Sequence, residues 1–534
     1  MHIVDKSRIG FSKPEESGWR NLILDSDRTY FGDPPNGITR VIANVIHISD
    51  THICDAQSPA RVEFLDRYAD PHNPYSPIIN ALVGTYRAHE MFTAQVLESM
   101  VQRINRMKRA PITLAPVDAV VATGDLTDNA QSNELDWFMR IMTGEKIRPD
   151  SGSRDKWEGF GGSIYSIHHW NPEGTPKGEQ DDYPRSLYGF PIVPEVTFAV
   201  RAPFYASGLE REWFAIHGNH DALLQGTVVP DTQLRQIAIG DMKFVELSQA
   251  EVLQTLQSIS EVGPSRYPDN SQATSVAVTP DGYRDFLDSK MFAHAMASHG
   301  NGHGYDHNLA ESGKRYWMKS IGSALLIALD TVNPHGGWQG SIDDQQFQWL
   351  LEILGNNRDT YVIIASHHPL QDLINGYDPN GEKRYLKEEI LRELTRFPNL
   401  VLWLAGHTHR NKSTYFGQDE YHGFWQVETS SLIDWPQQGR VVELFEDQSG
   451  EICIATTMFD HAGEMGIDPS HLRLDDVHNL AGLSRLLSAN DWQRRGGNFA
   501  VERNEGQAPD RNAFLRLPAR LRKIERAQPA ELNP

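Results

Sequence analysis

Five short apolar runs in this chain each end in a cluster of side chains able to hold a metal ion. Val41–Ile48 leads into Ser49-Asp50-Thr51-His52, Val117–Ala122 into Gly124-Asp125-Leu126-Thr127-Asp128, and Trp213–Ile216 into Gly218-Asn219-His220-Asp221. Tyr361–Ala365 ends in His367-His368-Pro369, and Leu400–Ala405 in Gly406-His407-Thr408-His409. A sixth run, Ala324–Leu329, has the same character. Their length and β-branched content predict buried strands. Helical periods lie between several of them: Phe92, Val96, Met100 and Ile104 share one face, Phe347, Leu350, Leu351 and Leu354 a second, and Leu386, Ile390, Leu391 and Leu394 a third. Strand alternating with helix predicts an α/β fold with parallel pairing, whose crevice lies at the carboxyl ends of the strands.

The residue types suit a pair of divalent ions. Carboxylates, imidazoles and one carboxamide without thiolate favour Mn, Fe, Zn or Co. Asp50 and His52 are two apart, as are His407 and His409, so each pair can grip one ion from the same side of a strand end. Asp125 has two carboxylate oxygens and can bridge ions about 3.5 to 4 Å apart. Each cluster alone has a plainer reading: a solvated Asp-x-His, an Asx-capped turn, or a loop that ends a strand. Their conjunction in this order, each behind an apolar run, carries the inference.

Composition bounds the partners. The chain has 534 residues, enough for more than one core, and Lys+Arg 50 against Asp+Glu 71 gives a net charge of −21. That charge argues against tracking a nucleic acid backbone or an anionic membrane. A small phosphorylated substrate stays open, because bound metals reverse the local sign of a pocket. Two cysteines, Cys54 and Cys453, are too few for a disulfide framework. No stretch approaches the roughly 18 apolar residues of a membrane span, and the first residues lack the apolar segment of an export signal. A cytoplasmic location is expected, although export with a removed signal leaves the same sequence; the oligomeric state is not legible.

The five blocks resemble those of the calcineurin-like metallophosphoesterase superfamily: Asp-x-His, Gly-Asp-x-x-(Asp or Asn), Gly-Asn-His-(Asp or Glu), His, and Gly-His-x-His. The resemblance implies an α/β/β/α fold, two β-sheets face to face and flanked by helices. It implies one metal held by Asp50, His52, Asp125 and His409, and another held by Asp125, Asn219, His367 and His407. His220 matches the histidine that faces the substrate phosphate, and Asp221 the carboxylate that orients it. The segment Leu329-Asp330-Thr331, with Gly340-Ser341-Ile342-Asp343, Gln346 and Trp349-Leu350, is similar to the branch that contains the class III cyclic-nucleotide phosphodiesterases. Asp128 stands where purple acid phosphatases carry a tyrosine.

The activity expected is hydrolysis of a phosphate ester, diester or monoester, by a metal-bridging hydroxide, with His220 stabilising charge and passing a proton to the leaving oxygen. A binding scaffold of this fold without chemistry, and a nucleotide pyrophosphatase or nuclease, are the alternatives. Asp128 is expected to bond a ligand histidine, and His368 to lie beside the ligands. Arg61, Asn129 and His303 are candidates to touch substrate, His303 from a Gly/His loop at 298–307. The catalytic domain is placed at 40–465, with insertions 143–211 and 222–320. A partly helical C-terminal extension, 466–534, follows. The insertion 143–211 and the loop 298–307 are expected to border the mouth of the site, with His168 and His169 exposed.

Overall fold

The apolar runs form strands because each is buried on both faces, which suits continuous Val, Ile, Leu and Ala. The structure, a computed structural model, describes residues 8–25, 29–74, 76, 83–258, 262–268, 271–495 and 500–520. Parts of the C-terminal extension, 496–499 and 521–534, and the first seven residues of the chain lie outside that description. The first sheet contains β1 (Arg40–Ile48), β2 (Ala119–Ala122) and β3 (Trp213–Ala215). The second contains β4 (Trp317–Ile321), β5 (Ala324–Leu329), β6 (Val362–Ser366), β7 (Leu400–Ala405), β8 (Lys412–Gly417) and β9 (Gly423–Glu428). The chain then returns to the first sheet with β10 (Gln438–Glu446), β11 (Ile452–Asp460) and β12 (Ala513–Leu517).

Spatial order is β12-β11-β10-β1-β2-β3 in the first sheet and β4-β5-β6-β7-β9-β8 in the second. The motif-bearing strands pair in parallel: β1 with β2, β2 with β3, and β6 with β7. All five motif loops therefore leave their sheets at carboxyl ends. The period of two along a strand sorts side chains between layers. In β5, Leu326 and Ala328 enter the core between the sheets, while Ile327 and Leu329 face the outer layer. The helices α1 (Thr93–Arg106) and α2 (Ser132–Thr143) add Val96, Met100, Ile104 and Phe138 to the core that includes the first sheet. On the second sheet α3 (Asp344–Asn356) and α4 (Lys387–Leu394) cover the outer face with Phe347, Leu350, Leu354, Ile390 and Leu394. This is the expected α/β/β/α arrangement.

The extension after residue 465 is part of that frame. Its helix α5 (Val477–Ala489) joins a separate apolar cluster with Trp19, Phe64, Trp157, Phe160, Trp170 and Phe190, and its strand β12 pairs along β11. Insertion 143–211 supplies four of those aromatic side chains, so it carries its own packed core without a long regular element. Among the described residues no helix is long and apolar enough to cross a membrane.

Candidate metal centre

The five loops meet because their backbones bond one another. Asp50 N donates to Gly124 O (3.1 Å) and His52 N to Asp125 O (2.9 Å) on the first sheet, Gly406 N donates to His367 O (3.0 Å) on the second, and His407 N donates to Asp50 Oδ1 (3.0 Å), which joins loops from both sheets. Asp50, His52, Asp125, His407 and His409 all sit at positive φ, between 42° and 69°. Such a conformation costs on the order of 1 kcal/mol for a residue with a side chain, and recurs where a site needs side chains aimed off the strand. Two glycines make the approach possible. A Cβ on Gly218 would collide with Asp125, and one on Gly406 with Ser49 and Asp50.

Two groups of lone pairs face each other across Asp125. In the first, His52 Nδ1 donates to Asp128 Oδ1 (3.0 Å) and His409 Nδ1 to Asp434 Oδ2 (2.6 Å). That tautomer leaves both Nε2 atoms as acceptors, only 3.2 Å apart, with Asp50 Oδ1 3.4 Å from His409 Nε2. In the second, His367 Nδ1 donates to Thr123 O (2.8 Å), and its Nε2 lies 3.2 Å from His407 Nδ1. Asp125 Oδ2 stands between the groups, 3.6 Å from His52 Nε2 and 3.1 Å from His367 Nε2. Facing lone pairs at this range repel unless positive charge lies between them. Asn219 adds an orphan: its amide nitrogen donates to Gly226 O (3.0 Å), yet its buried Oδ1 has no hydrogen-bond partner among the described residues. A buried unpaired oxygen costs about 1–3 kcal/mol, and ligation to a cation satisfies it. The donor set fits a pair of divalent ions at the expected positions.

Electrostatics agree. Burial alone would raise the Asp125 carboxyl, but His367, His220 and His52 hold it well below the usual carboxylate range. Burial would likewise depress His367, yet Asp125 and Asp50 lift it to about 9. Against burial again, Asp434 and Asp50 raise His409. One ring in each group is thus lifted, while burial, with His368 and His367 beside it, drives the His407 ring well down.

His220 is the most open of the catalytic candidates, with 19% of its side chain exposed. Its Nδ1 donates to the Asp128 carbonyl (2.7 Å), and its ring meets His52 edge to face. Asp221 does not orient that ring, contrary to expectation. Its Oδ1 accepts from Leu126 N and Thr127 N (both 2.9 Å) and its Oδ2 from Gly218 N (2.9 Å), so it stitches the second and third loops together. The orienting group is Asp128, through its main chain.

Asp128 bonds His52, one of the histidines expected to be a ligand. Its other oxygen pairs with Arg61, which is fully buried and also bonds Glu90 (2.7 Å). The expectation that Arg61 contacts phosphate is therefore corrected: its fork is consumed in holding Asp128. Asn129 is corrected too, since both its amide groups bond Glu134, at 2.8 Å and 2.5 Å, in the interior. His303 is turned into the protein, stacked on Trp213 at 3.4 Å with Nδ1 on the Trp213 carbonyl, and does not face substrate. His169 is buried against Phe160 rather than exposed. His368 lies beside the centre with both nitrogens occupied, by Thr331 Oγ1 (2.8 Å) and Trp338 O (2.9 Å), so it adds no ligand.

Two residues escaped the sequence reading. Asp434 orients His409 while buried against Arg87 (2.8 Å) and Arg494 (2.9 Å). It lies outside all five blocks, and no local pattern marks it. Trp338, 40% exposed, stacks on the His407 ring at 5.6 Å. An exposed tryptophan beside a candidate ligand was a signal that the sequence carried only as composition.

Comparisons with known proteins bear on the family. Residues 194–411 match the family model of calcineurin-like phosphoesterases, a span that holds the last three blocks. No curated protein sequence matches the chain. Among solved structures, a dimetal phosphatase from Danio rerio is 11% identical, covering 79% of this chain and 99% of its own, with a TM-score of 0.35. A purple acid phosphatase from yellow lupin (Lupinus luteus) seeds is 10% identical over 82% of this chain and 54% of its own, with a TM-score of 0.30. Over residues 194–411 the chain is thus similar to the calcineurin-like phosphoesterases, and all five blocks gather at one end of its two sheets.

Proposed function

We propose that this chain hydrolyses phosphate esters at two divalent metal ions. One would be held by Asp50, His52, Asp125 and His409, and the other by Asp125, Asn219, His367 and His407. The observation that carries the reading is the pair of facing imidazole groups, each 3.2 Å across, with one carboxylate between them. Bound there, two such ions supply Lewis acidity toward phosphoryl oxygens and a water nucleophile at neutral pH. Asp125 keeps the two positions close and balances their charge. Asp128 and Asp434 fix the tautomers of His52 and His409, so that lone pairs are presented inward. His220, tied through Nδ1, presents Nε2 to the open side. Burial holds its pKa at about 4 although Asp125 pulls the other way. The ring therefore meets substrate neutral, and an arriving phosphate's negative charge draws the proton that it passes to the leaving oxygen.

The finer reading concerns the ester. Trp338 offers an aromatic face next to His407, which supports a substrate with a planar ring near phosphorus, such as a nucleotide, and agrees with the cyclic-nucleotide branch. Metal analysis of the full chain, with turnover of a cyclic nucleotide, a simple monoester, a dinucleotide and an alkyl diester, tests both levels. Transition metal bound at both positions with hydrolysis of a phosphate ester is the expected result. A chain that binds no such metal, or an Asp125→Ala variant with full metal and turnover, overturns the proposal.

A further inference from the structure

Away from the catalytic loops, Asp70 is fully buried, and its two oxygens live in different surroundings. Oδ1 accepts from Trp492 Nε1 (2.6 Å) and Gln493 Nε2 (3.2 Å). Oδ2 has no hydrogen-bond partner among the described residues, and the same holds for the buried Nδ1 of His168. His72 Nε2 lies 3.8 Å and His168 Nδ1 3.9 Å from that oxygen, too far for hydrogen bonds. The two imidazoles are parallel within 6°, and the three donor atoms fall within 4.8 Å of one another. His72 Nδ1 is 3.3 Å from the Tyr188 hydroxyl, the contact that would fix the proton on Nδ1 and leave Nε2 as a lone pair.

We propose that Asp70, His72 and His168 form a further divalent metal site of zinc type, separate from the catalytic centre, with a fourth position open to solvent. Zinc bonds of about 2.0–2.2 Å set donors roughly 3.3–3.5 Å apart on a tetrahedral edge. Asp70 Oδ2 lies 3.8 Å and 3.9 Å from the two imidazole nitrogens, a few tenths of an ångström beyond that edge, and both rings are partly exposed. Burial pushes the Asp70 carboxyl up to about 7 and lowers both imidazoles, His168 to about 4 with help from Arg67, so neither ring supplies the positive charge that would hold the carboxylate ionised. A cation is the group that satisfies all three atoms at once. It would also explain the position of the site in the fold. Asp70 and His72 follow the first catalytic block, His168 belongs to insertion 143–211, and Trp492 and Gln493 to the C-terminal extension. One ion ties all three together.

The site stands independently of the catalytic proposal. Full-length protein is stripped with a chelator, then titrated with Zn2+ against a chromophoric competitor, and with Co2+ to read its visible spectrum. The His72→Ala/His168→Ala variant should take up one equivalent fewer than the parent while keeping phosphoesterase turnover. Asp125→Ala should keep the equivalent that this variant loses, together with a zinc-dependent rise in Tm. If either fails to fold, His72→Gln/His168→Gln and His367→Ala give the same comparison. Equal uptake by the parent and the double variant, or no zinc bound once the catalytic centre is disabled, overturns the proposal and leaves a protonated Asp70 carboxyl in the cluster.

Discussion

At His409 the nitrogen that faces Asp50 keeps its lone pair because the other nitrogen donates to Asp434 at 2.6 Å. Replacing that carboxylate should loosen one ion and spare the other. Asp434→Asn is the informative change, since an alanine would strand Arg87 and Arg494 in the interior. An outer partner of a metal histidine is typically worth about 10–100-fold in affinity, and chelator competition should show one weakened site in this variant; two unchanged sites would remove Asp434 from the centre. His220 belongs to the same scale. It holds no expected ligand position, so His220→Ala should keep its metal and lose roughly 10²–10⁴-fold in kcat on an alkyl ester, whose leaving oxygen needs a proton. A nitrophenyl ester, which leaves without one, should suffer far less. Equal losses would make His220 an electrostatic stabiliser only. Trp338→Ala should raise KM for a nucleotide ester more than for an alkyl ester, since the lost aromatic face acts on binding. The same rise for both would deny it a role in selecting the ring.

Glycines at loop and helix positions predict opposite outcomes for one substitution. Gly218 lies where the third loop passes Asp125, and Gly218→Ala would drive a methyl group into that carboxylate. Metal content should fall with stability. Gly355 sits within α3 with nothing near its Cβ position, so Gly355→Ala should stabilise by up to about 1 kcal/mol through helix propensity, read as a small rise in Tm. The contrast tells how the elements were legible. The runs at β5 and β7 matched their strands end to end because nothing but apolar periodicity governs them. The expected strand Val117–Ala122 begins instead at Ala119, since Asp118 turns to accept from Asn44 N (2.7 Å). The blocks were readable because each ligand cluster is local in sequence. Arg61, Asn129 and His303 were misjudged because proximity in sequence says nothing of a side chain's partners: Glu90, Glu134 and Trp213 claim them from elsewhere. The Asp330 segment has a similar lesson. Asp330 bonds His217 (3.3 Å) and Arg315 (2.9 Å), and Gln346 accepts from its main chain (2.8 Å), so these residues frame the end of β3.

Across the whole molecule, the last described segment reaches back to the loops that close the centre. Asn411, two residues after His409, donates its main-chain N–H to Asn504 O (2.9 Å). Trp435, next to Asp434, donates its indole N–H to Glu505 (3.0 Å), and Asn504 Nδ2 donates to the Trp435 carbonyl (3.1 Å). Arg440 of β10, fully buried, donates to the carbonyls of Asp510 (2.8 Å) and Arg511 (3.2 Å). Beyond them β12 covers the edge of β11, which would otherwise present an unpaired strand to solvent. Removing residues 500–534 should therefore do three things together. It should leave the Trp435 indole without its partner and take two carbonyl acceptors from the Arg440 guanidinium, which keeps Thr429, Asn411 and Glu428, a loss of about 1–3 kcal/mol for each buried donor left unpaired. It should expose an edge strand that promotes association. It should also let Asp434 and His409 drift, which lowers metal affinity at that position without touching a ligand. A calorimetric scan, sedimentation and a metal titration of the truncated chain read these separately. Reduced Tm, concentration-dependent association and one weakened metal equivalent are expected; a truncated chain that melts, sediments and binds metal as the full chain does would show that the extension is an appendage and that Asp434 is held by the catalytic domain alone.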